Sequence, residues 1–216
     1  MLRTVGLVMG TGVPVLGVNF GAFGYLTAAE PDGLRRAIER FLAGEYTLAR
    51  RMTVDATIVS RAGAPPRFRA NALNDVVLAR PSGQHTISTS VAITGERFLS
   101  YAADSMIVST PTGSTGYNLS ARGPIVSPKV RCLVITPVAP HMLFDRSVVL
   151  DSSDEVSFRV EGRSGAELIV DGVPCGLVEV GEQLVCRTGA DDAVLVSFGD
   201  RSFESVLKNK FRLADR

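Results

Sequence analysis

The chain has no tryptophan, two histidines, three cysteines and only 6% aromatic residues over its 216 positions. His85 and His141 have no second His or Cys at ligand spacing, which argues against a structural zinc or a histidine-built metal centre. Cys132, Cys175 and Cys186 make an odd set without a CxxC pair. That excludes a disulfide framework and points to a reducing compartment, with the cytoplasm fitting best. Strong charge of one sign is also missing: 23 Lys and Arg against 22 Asp and Glu leave a formal net charge of +1. The basic residues are scattered, so no stripe exists to neutralise a run of nucleic-acid phosphates. Repeats, low-complexity tracts and charged tails are absent as well. What remains, at 45% hydrophobic and 21% charged, is an ordinary globular composition, enough for one sizeable core or a core plus part of a second domain.

Residues 5–29 carry no charge, and by length alone the segment could cross a bilayer or serve as a signal. Gly6, Gly10, Gly12, Gly17, Gly21, Gly24, Pro14 and Asn19 break it into pieces shorter than a span, so no membrane partner is expected. Uncharged runs are also what strands covered on both faces require.

Further along, Pro31 precedes Leu34, Ala37, Ile38, Phe41 and Leu42, spaced as one face of an amphipathic helix that Gly44 ends. From Arg51 the period changes to two: Met52, Val54, Ala56 and Ile58 alternate with polar residues, as do Ile87, Thr89, Val91 and Ile93. Further strands are expected at 76–78, 106–110, 131–136, 147–151, 155–160, 167–171, 183–187 and 193–198, punctuated by Gly, Pro, Asp and Ser. Residues 62–66 read as a hairpin loop, and Ser202 as the cap of a last helix carrying Phe203, Val206, Leu207 and Phe211. Short strands at this spacing suggest a β-sandwich inside a β-rich α+β fold.

Residues 109–120, Ser-Thr-Pro-Thr-Gly-Ser-Thr-Gly-Tyr-Asn-Leu-Ser, follow the apolar run Met106-Ile107-Val108 without a single charge. Five hydroxyls and two glycines in one turn form a surface suited to phosphate, ribose or base edges. The competing reading is a plain turn between strands, since these residue types are what turns use. For Asn74-Asp75, an ordinary turn before the strand at 76–78 stands as the same kind of alternative.

Four stretches, taken in order, carry a family pattern: Leu16-Gly17-Val18-Asn19-Phe20-Gly21-Ala22-Phe23-Gly24-Tyr25-Leu26-Thr27, then Ala72-Leu73-Asn74-Asp75-Val76-Val77-Leu78, then 104–124, then Ile135-Thr136-Pro137 with Pro140-His141. The set resembles the NAD kinases, with Gly116 where the family usually has Ala. A looser match runs through Val170-Asp171-Gly172 to the end. The resemblance implies a remnant of an α/β nucleotide-binding domain over 1–47, a β-sandwich NAD-binding domain over 48–200, and a helix over 201–216 that packs back on the N-terminal part. For the charge-free segment it implies a helix over 2–10, a turn at Gly10-Thr11-Gly12, a buried strand Pro14 to Val18 and a ligand loop.

The same resemblance implies the reaction: transfer of a phosphoryl group from ATP, or polyphosphate in some members, to the 2′-hydroxyl of the adenosine ribose of NAD, with magnesium or another divalent cation accompanying ATP. It assigns NAD contacts to Asn74, Asp75, His85, Asp104, Thr115, Gly116, Tyr117, Asn118, Leu119 and Ser120. Asn74 offers a donor and an acceptor to a base edge, Asp75 accepts from ribose hydroxyls, and Tyr117 offers a stacking face. Relatives often place a basic residue two positions before the Asp104 equivalent, but Ala102 stands here and leaves that contact in doubt. The family usually forms dimers or tetramers, so a homodimer or homotetramer is implied.

The family's GGDG motif, whose Asp is catalytic, belongs immediately before the segment matching Met1-Leu2-Arg3, and it is absent from these 216 residues. The expectation is a truncated or misassigned start, and a chain that as written has little or no activity. A catalytically silent NAD-binding module is the alternative. A lipid or sugar kinase of the distant GGDG architecture fits less well, since the STPTGST signature is not usual there. A dinucleotide oxidoreductase is weaker still, since Gly17-Val18-Asn19-Phe20-Gly21 does not supply GxGxxG.

Overall fold

The computed structural model describes residues 1–21, 26–60, 64–200 and 202–212. Two compact units emerge, one made of 1–51 with 192–216 and the other of 52–191. This division falls at 51/52 and 191/192, beside the domain boundaries expected at 47/48 and 200/201.

The first unit begins with α1 (Leu2–Val8), whose Val5 is buried. The buried strand expected at 14–18 does not form. Two isolated parallel bridges, Val15 with Leu195 and Val18 with Ala29, take its place. Of the glycine-rich stretch that follows, residues 22–25 lie outside the described residues. A short 3-10 turn over Pro31–Gly33 leads into α2 (Leu34–Leu42), which ends at Gly44 in a left-handed conformation (φ +75°), as the sequence pattern requires. The strand β1 (Thr47–Arg51) follows.

The second unit is a sandwich of antiparallel strands: β2 (Val54–Val59), β3 (Phe68–Ala72), β4 (Asp75–Ala79), β5 (Ile87–Ile93), β6 (Glu96–Ala103), β7 (Ser105–Ser109), β8 (Cys132–Val138), β9 (Val148–Asp151), β10 (Val156–Glu161), β11 (Ala166–Val170), β12 (Val173–Val178) and β13 (Gln183–Thr188). One helix, α3 (Tyr117–Ser120), interrupts them. One sheet runs β3-β2-β13-β10-β5-β6 and the other β12-β11-β4-β7-β8-β9. Their inner faces share one core, with Val54, Ile58, Val91, Phe158 and Leu184 from the first sheet meeting Val76, Leu78, Met106, Leu133 and Leu168 from the second. Within the loop expected at 62–66, Ala62 and Gly63 lie outside the described residues, but β2 and β3 on either side of it pair antiparallel.

The second sheet is buried on both sides at its centre, where β7 is buried along its whole length. Met106 and Val108 point into the sandwich core. Period-two alternation therefore puts Ser105, Ile107 and Ser109 on the opposite face, beside Ala79, Val77 and Asp75 of the paired β4. Residues 110–126 cover that outer face.

The last strand, β14 (Ala193–Ser197), was expected to finish the sandwich. Instead it pairs antiparallel with β1 in the first unit, with Thr47 opposite Ser197. The final helix, α4 (Phe203–Phe211), begins at Ser202, whose hydroxyl accepts the Ser205 N–H at 3.1 Å. It falls in the first unit, together with the N-terminal segment.

Candidate functional site

The Asn74-Asp75 pair sits where β3 gives way to β4, and its shape is imposed from a neighbouring turn. Asp171 and Gly172 form the two-residue connection between β11 and β12, with φ of +48° and +77°. Left-handed conformations at both positions are what the tightest hairpin turn needs, and Asp-Gly is a favoured pair there. That turn aims the Asp171 carboxylate at the start of β4, where it accepts three successive backbone N–H groups, from Leu73 (2.9 Å), Asn74 (2.7 Å) and Asp75 (3.2 Å). The Asp171 N–H donates in return to the Asp75 carbonyl at 3.0 Å.

The hydroxyl-rich segment closes over the same point. Thr110 donates its N–H to the Asn74 carbonyl (2.9 Å) and its hydroxyl to the Leu73 carbonyl (2.6 Å), while accepting the Gly113 N–H (3.1 Å). A Cβ on Gly113 would lie 2.0 Å from the Asn74 carbonyl oxygen, so only glycine permits this approach. Ser114 donates to the Pro111 carbonyl (2.7 Å) and accepts from Val126 N–H (3.0 Å). Ser109, Thr110 and Ser114 are thus buried and hold the loop. They are not available to a ligand.

Three candidates converge. A Cβ built on Gly116 would lie 3.8 Å from Asp75 Oδ2 and 3.9 Å from Asn74 Nδ2, so the carboxylate and the amide flank the space left by the missing methyl. Tyr117 follows, its ring 44% exposed and its hydroxyl 3.3 Å from Ser105 Oγ. Asp75 itself is only 6% exposed. Burial, with the negative charge of Asp171 adding to it, pushes its carboxyl up to about 7. Near neutrality this group passes between hydrogen-bond donor and acceptor.

The remaining candidates divide. Thr115 is half-buried and turned to its own loop, at 3.5 Å from the Thr112 carbonyl; Leu119 is half-buried and Ser120 exposed at the end of α3. Asn118 is fully buried, its Nδ2 donates to the Ser114 (3.1 Å) and Pro124 (3.0 Å) carbonyls, and its Oδ1 accepts from the Thr136 hydroxyl (2.7 Å). It ties α3 to β8 through Thr136. Asp104, just before β7, pairs with Arg80, Oδ1 to Nε 3.1 Å. His85 is exposed between β4 and β5, and no described hydrogen bond ties it to Asn74, Asp75 or Tyr117. Asp171 was not among the sequence candidates, and Thr110, part of the hydroxyl run, holds the loop instead of facing a ligand. The Asp-Gly turn signal at 171–172 was the one available clue to the first.

Among the described residues, no three His, Cys, Asp or Glu side chains gather into a group that could hold a metal ion. The site does not by itself fit a divalent cation.

Comparison with known proteins identifies the domains of the chain. Residues 73–198 match the ATP-NAD kinase C-terminal domain, and residues 1–46 match the ATP-NAD kinase N-terminal domain. The NAD kinase of Heliobacterium modesticaldum is 37% identical over 213 residues, covering 98% of this chain and 75% of that protein. The NAD kinase of Aquifex aeolicus is 37% identical over 202 residues, covering 93% and 73%. Among solved structures, yeast NADH kinase complexed with NADH superposes with a TM-score of 0.91 at 23% identity, over 100% of this chain and 64% of that one. An NAD kinase from Archaeoglobus fulgidus in complex with ATP gives 0.76 at 22% identity, over 93% and 75%. At these identities the structures speak to the fold, whereas the sequence relatives and the matched domains speak to descent: the chain belongs to the NAD kinase family.

Proposed function

We propose that this chain binds NAD with its ribose and base against Asn74, Asp75 and Tyr117, and serves phosphorylation of the adenosine 2′-hydroxyl to give NADP. The observation that carries the reading is the convergence of the Asp75 carboxylate and the Asn74 amide on the gap at Gly116, beside the exposed face of Tyr117. An ionised Asp75 accepts from ribose hydroxyls, the Asn74 amide pairs with a base edge, and the tyrosine ring stacks. Asp171 and Thr110 keep both residues in place before the ligand arrives, which lowers the ordering cost of binding.

Phosphoryl transfer asks a protein mainly for alignment and for neutralisation of charge. A divalent cation accompanying ATP would supply part of that neutralisation. In this reading the residues described here bind and orient the acceptor. A positioned base contributes about 10²- to 10⁴-fold, or roughly 3–5 kcal/mol of barrier. A second reading, a silent NAD-binding module, would bind NAD and form no NADP. We place the protein in the cytoplasm as a homo-oligomer; the free cysteines support the compartment.

Incubation with NAD and either ATP or polyphosphate, followed by enzymatic detection of NADP, separates these readings. The naturally expressed protein should form NADP with at least one donor. NAD binding with no NADP from either donor would replace the kinase reading with the silent module.

A further inference from the structure

Asp75 carries a carboxylate that the protein buries without a partner. The residue is 6% exposed, yet among the described residues no hydrogen bond or ion pair reaches its side-chain oxygens. The charge that acts on it is of the same sign, that of Asp171, and the backbone N–H groups of Leu73, Asn74 and Asp75 at this corner are already taken by the Asp171 carboxylate. Burying an ionised carboxylate in this way is costly unless a donor reaches it from outside.

The surroundings determine which donor fits. A Cβ placed on Gly116 marks a gap the size of a methyl group, and the atoms nearest to it are the Gly113 carbonyl oxygen at 3.2 Å, Asp75 Oδ2 at 3.8 Å and Asn74 Nδ2 at 3.9 Å. The carbonyl and the ionised carboxylate only accept hydrogen bonds, and the Asn74 amide nitrogen donates. A hydroxyl suits such a gap, since it can give its proton to the carboxylate and accept from the amide. A phosphate ester at the same point has acceptor oxygens alone and brings a charge of about −1.5 to −2 against oxygens of like sign. Among the described residues, no ion pair brings a lysine or arginine to Asp75 or Asp171 to offset that repulsion. Like charges held together in a desolvated site are a means of rejecting one ligand in favour of another.

We propose that the Asp75 carboxylate, backed by Asp171, makes the site select an unphosphorylated ribose, so that it holds NAD and disfavours NADP, the molecule the proposed reaction forms. This rests on the NAD-site reading above and adds to it the form of the ribose that is preferred. A site so built loosens its grip on the product where the product arises. The test is calorimetric titration of NAD and, separately, of NADP at pH ~8, where the carboxyl is ionised, into wild type, Asp75→Asn and Asp75→Ala, each first shown to unfold cooperatively. Wild type should bind NAD about tenfold or more tighter than NADP, a comparison that needs no variant to fold. In Asp75→Asn, which keeps the shape and removes the charge, NAD should weaken while NADP holds or tightens, bringing the two within about threefold; Asp75→Ala should do the same. Wild type that binds NADP as tightly as NAD, or tighter, overturns the proposal and leaves the site reading standing. An equal loss for both ligands in the variants also overturns it, marking Asp75 as a hold on a part of the dinucleotide that both share. Wild type that binds neither ligand overturns the site reading itself, and this proposal with it.

Discussion

Asp171 and Asn74 are joined by a 2.7 Å hydrogen bond from the Asn74 backbone N–H to Asp171 Oδ1, and the same carboxylate gathers the N–H groups of Leu73 and Asp75. One side chain in a hairpin turn thereby sets the backbone of the pair assigned to NAD. Hydrogen bonds to a charged acceptor are worth more than neutral ones, and leaving three donors unpaired adds to the loss. Asp171→Ala should lower stability by about 2–4 kcal/mol and weaken NAD binding about tenfold or more, whereas Asp171→Asn, which keeps one acceptor oxygen, should lose less. Urea unfolding followed by circular dichroism measures the first effect and NAD titration the second. Wild-type stability in Asp171→Ala would contradict the assignment.

Asp75 makes stability depend on pH in a stated direction. Its carboxyl is raised from 3.8 to about 7, first by burial and then by Asp171. Below 3.8 the group is protonated in folded and unfolded chains alike, and its contribution is fully present. Between 3.8 and about 7 the folded chain holds the extra proton, so stability falls as pH rises and levels off above 7. The drop attributable to this group is on the order of 2–4 kcal/mol. Asp75→Asn should remove that slope and stabilise the ligand-free protein at pH ~8, while weakening NAD. Denaturation curves across this range for both proteins provide the check; parallel slopes would contradict the prediction.

The two glycines of the loop should respond to an added methyl to different extents. At Gly113 the new Cβ would meet the Asn74 carbonyl at 2.0 Å, and no flexible side chain is there to yield. At Gly116 the tightest neighbour is the Gly113 carbonyl at 3.2 Å, and the backbone, at φ −96° and ψ −128°, lies outside the regions that L residues favour. Gly113→Ala should cost about 3 kcal/mol or more, and Gly116→Ala, where only the backbone resists, about 1–2 kcal/mol. Thermal melts of the two variants decide this, and similar losses would sink it.

Much of the sandwich was legible because its strands alternate or run apolar. β5 reads as Ile87, Thr89, Val91 and Ile93, and β7 as a continuous apolar run. β3 (Phe-Arg-Ala-Asn-Ala) and β1 (Thr-Leu-Ala-Arg-Arg) carry no such signal, since partners across the sheet, not side-chain hydrophobicity, fix them. β12 contains Pro174 and Gly176, which the sequence reads as punctuation; as an edge strand it tolerates both, with a register shift opposite Leu168 and Ile169. The placement of β14 was hidden for another reason: its apolar pattern suits either unit, and only pairing with β1 decides. In the site, the hydroxyl run was visible as a run. Which hydroxyls face inward was not, because burial of Thr110 and Ser114 depends on Leu73, Pro111 and Val126 lying beside them.

Asn118 supplies a control for that distinction. Its amide joins Ser114, Pro124 and Thr136, and the Thr136 hydroxyl lies 2.8 Å from Ser147 Oγ. Asn118→Ala leaves several buried groups unpaired and should destabilise by about 2–4 kcal/mol. Thr136→Val should destabilise as well, by about 1–2 kcal/mol, without touching the Asn74 and Asp75 side chains. Unfolding curves measure both, and unchanged stability in Asn118→Ala would mean that the network does not hold α3.

The central claim, that Asp75 grips a ribose of NAD, is tested most directly by the ratio of NAD dissociation constants for Asp75→Ala and wild type, measured by calorimetry at pH ~8, where the carboxyl is ionised. The account predicts one NAD per chain and a ratio of about 30 or larger. A ratio near one, or no heat with the wild-type protein, would contradict it.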